Sequence, residues 1–175
     1  YDDGGEFTYG QMAERIDRIH VLFKAIGLKK GDKVALCGRN SSHWAIAMLA
    51  TVSYEAVAVS IMDAFTPESI YALVKHSDAR IFMVGDVVWK NLKVEELNQV
   101  DAIICQNTLE LYYGKNDEIK NAHASWDKLF AAEYPEGFDP TKTTYATDNF
   151  DEPAIINYTS GSTGDPKGVV LTHRN

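Results

Sequence analysis

The chain has 175 residues, of which 45% are hydrophobic and 24% charged, and its formal net charge is −8 at pH 7. This length suffices for one domain with its own core, and the composition is ordinary for a globular protein. The acidic balance argues against nucleic acid as a partner, since such binding depends on basic patches, and no apolar run reaches the ~18 residues expected of a membrane span.

The first predicted element is a helix that follows Phe7. Thr8 is expected to cap this helix, and Gln11 three residues later completes a capping box. One face is apolar at steps of four and three, through Met12, Ile16, Ile19, Phe23 and Ile26. Gly27 is placed to end the helix, and residues 34–37 follow as a buried strand.

Helices and strands then alternate along the chain. A helix capped by the cluster Asn40-Ser41-Ser42 is apolar nearly all round, so we expect it to be heavily buried. Next come a strand at 56–61, a helix from Thr66 to about His76, a strand at 80–84, a helix from about Val87 to Gln99 and a strand at 102–105. This alternation predicts an α/β fold with a mainly parallel sheet.

The pattern is weaker in the second half of the chain. Residues 106–124 show little periodicity, after which Ser125 is expected to cap a short helix through Trp126, Leu129 and Phe130. Residues 135–150 are rich in Pro, Gly, Asp and Thr, and we predict that they form a connecting loop. Two short apolar runs then flank a glycine-rich turn, which predicts a strand–loop–strand hairpin over residues 154–171.

The most informative segment begins at Tyr158 and reads YTSGSTGDPKG. Glycines let the backbone approach an anion closely, successive N–H groups and short hydroxyls can surround phosphate oxygens, and a lysine adds a mobile positive charge. The segment therefore predicts a phosphate-binding loop. Its candidate phosphate-binding residues are Thr159, Ser160, Gly161, Ser162, Thr163, Gly164 and Lys167.

Other interpretations of this segment fit less well. A Walker-type loop needs a glycine directly before the lysine and Ser or Thr directly after it, whereas Pro166 and Gly168 stand there. The G-x-G-x-x-G and G-x-S-x-G patterns are also absent from the chain. A flexible Ser/Gly linker, with Lys167 merely exposed in a turn, is the remaining alternative, and the flanking apolar runs argue against it.

The run Thr-Ser-Gly-Ser-Thr-Gly-x-Pro-Lys-Gly-Val-x-Leu-Thr-His that begins at Thr159 resembles the phosphate-binding signature of the adenylate-forming enzymes. These include acyl-CoA synthetases, luciferases and peptide-synthetase adenylation domains. Residues 7–9, 31–35, 40–44 and 76–80 also resemble segments of that family, and residues 171–175 are similar to the long-chain fatty acyl-CoA synthetases in particular. Tyr54-Glu55 and Val59-Ser60 depart from the usual Ala-Gly and Val-Pro.

The resemblance implies a two-step reaction. A fatty acid carboxylate attacks the α-phosphate of ATP with the help of Mg²⁺, and coenzyme A then displaces AMP to give the thioester. Residues 1–175 would be the N-terminal part of the AMP-binding domain, and the loop would hold the departing pyrophosphate. Because the family's other sites lie further along its sequences, we expect an N-terminal piece with no catalytic residue, inactive alone and without a bound cofactor.

Two other functions stay open at this point. One is an adenylation domain or aryl-CoA ligase relative that uses a different acid, and the other is a nucleotide-binding or regulatory module without chemistry. The parent protein is expected in the cytoplasm, since no signal peptide is visible. Peripheral contact with the inner membrane face and the oligomeric state are left open.

Neither the histidines nor the cysteines predict a metal site. The five histidines do not cluster, and Cys37 and Cys105 lack metal-ligand spacing. We expect both cysteines to be buried free thiols, with a disulfide between them as the alternative.

Overall fold

The computed structural model describes residues 6–146, 148–159 and 167–175. Its strands are β1 (Lys33–Cys37), β2 (Val57–Ile61), β3 (Ile81–Val84), β4 (Ala102–Cys105), β5 (Leu111–Gly114), β6 (Pro153–Thr159) and β7 (Lys167–Thr172). Its α-helices are α1 (Tyr9–Ala25), α2 (Ser42–Ser53), α3 (Pro67–His76), α4 (Asp86–Trp89), α5 (Asp117–Ala124) and α6 (Trp126–Glu133). Two 3₁₀ helices span Val94–Leu97 and Pro140–Lys142.

The strands form one mixed sheet in the order β5-β4-β3-β1-β2-β6-β7. The pairs β1–β2, β1–β3, β2–β6 and β3–β4 are parallel, whereas β4–β5 and β6–β7 are antiparallel. The predicted α/β class is confirmed, but a mainly parallel sheet has to be corrected to a mixed one. The connections at 106–110 and 160–166 are shorter than the crossover of about a dozen residues that parallel neighbours require. Each edge therefore carries an antiparallel strand.

The central strands are buried on both faces, so the core has two layers. On one face, α1, α2 and α5 pack against strand residues that include Leu36 and Met83. On the other face, α3, α4 and the first 3₁₀ helix pack against the alternate strand residues, which include Phe82 and Ile103. This double burial explains the continuous apolar runs that predicted the strands.

The predicted ends of α1 are confirmed. The Gln11 N–H donates to Thr8 Oγ1 at 3.2 Å, and the Thr8 N–H donates to Gln11 Oε1 at 2.9 Å, which completes the capping box. At the other end Gly27 has φ +76°, and the Leu28 N–H donates to the Phe23 carbonyl at 2.9 Å. This is the hydrogen bond of a Schellman motif, for which glycine is the favoured residue.

The single helix predicted from about Val87 to Gln99 is wrong. The helix α4 ends at Trp89, and a 3₁₀ helix begins only after Lys93, whose backbone is extended. The Lys93 N–H donates to the Tyr71 hydroxyl at 2.7 Å instead of continuing the helix. The Trp89 ring stacks on Tyr112 with centroids 4.9 Å apart. Contacts with α3 and β5 therefore override the local helical pattern.

Two elements lie in the region that showed little periodicity. The strand β5 adds to the sheet edge, and α5 begins after Asn116, whose Oδ1 accepts the Ile119 N–H at 2.9 Å. The following helix α6 confirms the helix predicted through Trp126, but its predicted cap is wrong. Ser125 stands at the N-cap position of α6, but it is also the C-cap of α5, so its backbone angles are helical and its side chain makes no capping hydrogen bond.

The burial predicted for α2 holds on one face only. Ile46 and Ala50 are fully buried, whereas Leu49 is 45% exposed. Apolar residues on every face of a helix therefore did not predict that every face is buried.

Candidate functional site

The loop that was predicted to bind phosphate follows the carboxyl end of a parallel strand. In the parallel ladders Cys37 pairs with both Ile61 and Val84, and Val84 pairs with Cys105, so these strands end at one edge of the sheet. The strand β6 runs parallel to β2 and ends at Thr159, two residues beyond the last paired position. Ligands of open α/β sheets bind outside this carboxyl edge. The β6–β7 connection therefore begins where such a ligand would lie.

The ends of the loop are fixed by the β6–β7 register. Thr159 pairs with Lys167, and the preceding pair is Tyr158 with Gly168. Lys167 is the first residue of β7 and is exposed, so its ammonium group is accessible to a ligand at this edge. We call these two pairs the stem of the loop.

The structure brings together only part of the predicted site. Thr159 and Lys167 lie opposite each other at the stem. The other predicted phosphate-binding residues, Ser160, Gly161, Ser162, Thr163 and Gly164, lie outside the described residues. Their contacts with phosphate remain a prediction from the sequence.

Packing against the facing strand explains why residue 168 is a glycine, which the motif alone did not reveal. A Cβ atom at this position would lie 3.0 Å from Ile156 Cγ2 and 3.4 Å from Tyr158 Cε1. The absence of a side chain at Gly168 therefore leaves room for Ile156 and Tyr158 of the facing strand. An aromatic ring that covers a glycine on the neighbouring strand is a known way of stabilising a strand pair.

One residue near the stem was missed by sequence reasoning as a partner of the loop. His76, the last residue of α3, has its Nδ1 2.7 Å from the Tyr158 hydroxyl. Tyr158 is only 7% exposed, and burial, followed by the charge of Asp78, raises its pKa, so the hydroxyl stays protonated. No local pattern could reveal this contact, since the two residues are 82 positions apart.

A second place where α/β sheets bind ligands is filled by protein atoms. Such crevices form where neighbouring strands send their connections to opposite faces, which here happens between β1 and β3. Gly38 and Gly85 follow these strands, and a Cβ on Gly85 would lie 3.3 Å from Gly38 Cα. The buried Gln106 donates from Nε2 to the Met83 carbonyl at 3.0 Å and occupies the remaining space beside Gly38.

A separate cleft of about 280 Å³ lies between α1 and residues 134–144. Its lining includes the carboxylates of Asp17 and Asp139 and the ammonium of Lys142, which is already paired with Asp139 at 3.5 Å. Burial raises the pKa of Asp17, which accepts a hydrogen bond from the Thr143 hydroxyl at 3.4 Å. Two carboxylates beside one paired lysine disfavour a phosphate, so this cleft does not compete with the predicted loop.

The cysteines are buried free thiols, as predicted. Cys37 and Cys105 both pair with Val84 from opposite sides, so two strand spacings, or roughly 10 Å, separate them. This separation is too long for a disulfide. Burial raises the pKa of Cys37 to about 12, so its thiol is not a nucleophile.

Within the part of the chain that the structure describes, no group of three or more His, Cys, Asp and Glu side chains is placed to hold a metal ion. Over the same residues, none of the helices combines the length and the apolar character needed to cross a bilayer.

Comparison with known proteins gives consistent matches over the full chain. A family model for the AMP-binding enzymes matches residues 1–175. An acetyl-coenzyme A synthetase of Psychromonas ingrahamii is 29% identical over 98% of this chain and 27% of its own length. Long chain acyl-CoA synthetase 1 of Arabidopsis thaliana is 30% identical over 95% of this chain and 25% of its own length. A red-emitting luciferase of Phrixothrix hirtus superposes with a TM-score of 0.75 at 20% identity, over 97% of this chain and 40% of that one.

The mixed sheet with a β6–β7 hairpin at its edge is the α/β fold of the N-terminal domain of adenylate-forming enzymes. The chain belongs to the AMP-binding enzyme family. It spans about a quarter of the length of the two synthetases above. The predicted superfamily is confirmed. The comparisons do not favour the long-chain ligases over other members, since the acetyl and long-chain enzymes are similar to this chain to the same degree.

Proposed function

We propose that the intact protein is an ATP-dependent ligase that joins a long-chain fatty acid to coenzyme A through an acyl-adenylate. The single observation that carries this proposal is the exposed Lys167 at the stem of the β6–β7 loop, at the carboxyl edge of the sheet in a chain of the AMP-binding enzyme family. The two synthetases that resemble it are both named as enzymes acting with coenzyme A.

In this proposal the loop holds the phosphates that leave as pyrophosphate. The Lys167 ammonium would offset the charge that moves onto the β- and γ-phosphates as the bond to the α-phosphate breaks. The hydroxyls and N–H groups of residues 159–164 would donate to the same oxygens. The main gain is alignment of the α-phosphate for in-line attack by the carboxylate.

Mg²⁺ would be needed to neutralise the triphosphate. The described residues offer it no cluster of protein ligands, and Mg²⁺ commonly binds through substrate phosphates with only one or two carboxylates. We therefore assign no residue of this chain to the metal.

Long-chain fatty acid as the substrate is the most specific part of the proposal. It is supported by the likeness of residues 171–175 to long-chain synthetases and by the similarity to the Arabidopsis thaliana enzyme. An aryl acid or an amino acid is the second candidate, because the superfamily includes aryl-CoA ligases and peptide-synthetase adenylation domains.

Acid-dependent exchange of labelled pyrophosphate into ATP tests the proposal. The intact protein is assayed with palmitate, acetate, benzoate and a mixture of amino acids, and then with coenzyme A and the best acid. We expect palmitate to support the fastest exchange and coenzyme A to convert the adenylate to the thioester. Fastest exchange with another acid would overturn the long-chain assignment. ATP binding without exchange for any acid would instead indicate a non-catalytic nucleotide-binding module.

A further inference from the structure

A hydrogen-bonded pair lies directly beside the stem of the phosphate loop. The Tyr158 hydroxyl and His76 Nδ1 are 2.7 Å apart, and their rings meet edge to face with centroids separated by 5.8 Å. Tyr158 precedes the last residue of β6, and His76 is the last residue of α3. One short contact thus ties α3 to the strand that leads into the loop.

The two partners have different surroundings. Tyr158 lies in the core layer that also contains Leu73 and Val74 of α3, whereas His76 is exposed. A tyrosine hydroxyl can donate to a bare imidazole nitrogen or accept from an imidazole N–H, so either tautomer of His76 can form this hydrogen bond. The pair therefore links the buried ring of Tyr158 to the exposed end of α3.

The opposite strand is shaped around the same ring. Gly168 faces Tyr158 in the β6–β7 register, and a Cβ there would lie 3.4 Å from Tyr158 Cε1 and 3.6 Å from Cζ. The next pair along the ladder is Thr159 with Lys167, from which the loop opens. The Tyr158 ring therefore lies against Gly168 of the facing strand, one residue before the pair from which the loop opens.

From this geometry we infer that His76 and Tyr158 are positioning residues for the phosphate site: by anchoring the stem to α3, they fix where Thr159 and Lys167 present the loop to the triphosphate. This inference rests on the proposed function. Neither side chain is assigned a contact with ATP, since both act through the backbone of the stem. Disrupting the pair should therefore weaken the binding of ATP and pyrophosphate and leave the binding of the acid and of coenzyme A unchanged.

The test uses Tyr158→Phe, which removes one oxygen and keeps the ring, and His76→Ala, which changes an exposed residue. In the intact protein we expect either change to raise the KM for ATP about tenfold, the loss typical of one hydrogen bond. The KM values for the acid and for coenzyme A should stay within about twofold. The double variant should be no worse than the single ones, because each already breaks the same contact.

A conservative variant and a matched control separate positioning from general stability. The amide of His76→Asn can reach the place of Nδ1, so it should restore most of the affinity for ATP. Tyr54→Phe also removes a hydroxyl hydrogen bond, here to the Leu28 carbonyl at 3.2 Å, at a tyrosine that packs against Phe23 in the other core layer. It should leave the KM for ATP unchanged. Melting temperatures are recorded for every variant, and kinetics are compared well below the lowest of them.

The inference is overturned if Tyr158→Phe and His76→Ala leave the KM for ATP within about twofold of the unmodified protein, or if Tyr54→Phe raises it equally. Calorimetric titration with ATP alone gives a second readout that needs no catalysis, and there the Kd should rise by the same factor. If the unmodified protein exchanges pyrophosphate, Lys167→Ala loses this activity and the His76 variants keep it, the positioning role is refuted and the proposed function is not. If the unmodified protein binds neither ATP nor pyrophosphate, the proposed function and the positioning role both fail.

Discussion

Replacing Lys167 with alanine in the intact protein is expected to slow acid-dependent ATP–pyrophosphate exchange by about 100-fold or more. A charged donor aimed at oxygens that gain charge in the transition state typically contributes a factor of this size, since it acts more strongly there than on the bound substrate. Lys167 is exposed at the stem and makes no ion pair within the described residues, so its removal should not disturb the fold.

The control for this change is Lys142→Ala. Its side chain is 82% exposed and forms a surface ion pair with Asp139, so exchange should stay within about twofold. Lys167→Arg is expected to recover part of the rate, because the charge is kept while the donor geometry changes. A Lys167→Ala variant that exchanges pyrophosphate as fast as the unmodified protein would show that this lysine has no part in adenylation.

Replacing Phe82 with alanine is expected to lower the free energy of unfolding by about 3–5 kcal/mol. Phe82 is fully buried in the central strand β3 and packs in the layer beneath α3. Its removal loses apolar burial and leaves a cavity, and the loss is a large share of the stability of a typical domain. The measurement is urea denaturation of the chain followed by circular dichroism.

Phe150→Ala provides the matched control in the same experiment. The Phe150 ring is 53% exposed, and the Arg174 guanidinium lies over it with its carbon 5.6 Å from the ring centroid. The free energy of unfolding should change by no more than about 0.5 kcal/mol. Equal losses for the two variants would mean that β3 does not lie at the centre of the core.

Much of the fold was readable from local patterns. The capping box at Thr8, the stop at Gly27 and the cap at Thr66 with Pro67 are decided by residues a few positions apart, and the structure confirms each of them. The buried strands could also be predicted, because burial on both faces leaves continuous apolar runs. Asn116 followed by two acidic residues was a helix start that could have been recognised from the sequence.

Other features depend on contacts that no local pattern contains. The break near Lys93 is set by the hydroxyl of Tyr71 on another helix, and the ring stacking of Trp89 involves an edge strand. The link between His76 and Tyr158 also joins distant parts of the chain. For the site, the motif predicted a set of phosphate-binding residues, and phosphate binding by that set remains a prediction. The stem pairing and the packing reason for Gly168 came only from the structure.

The central claim is that the segment between β6 and β7 holds the triphosphate of ATP. The most direct measurement is acid-dependent pyrophosphate exchange in the intact protein after alanine replaces the four hydroxyl residues and the lysine of the loop, which are Thr159, Ser160, Ser162, Thr163 and Lys167. We expect exchange to fall to background while the melting temperature is unchanged. Exchange at the rate of the unmodified protein would contradict the account.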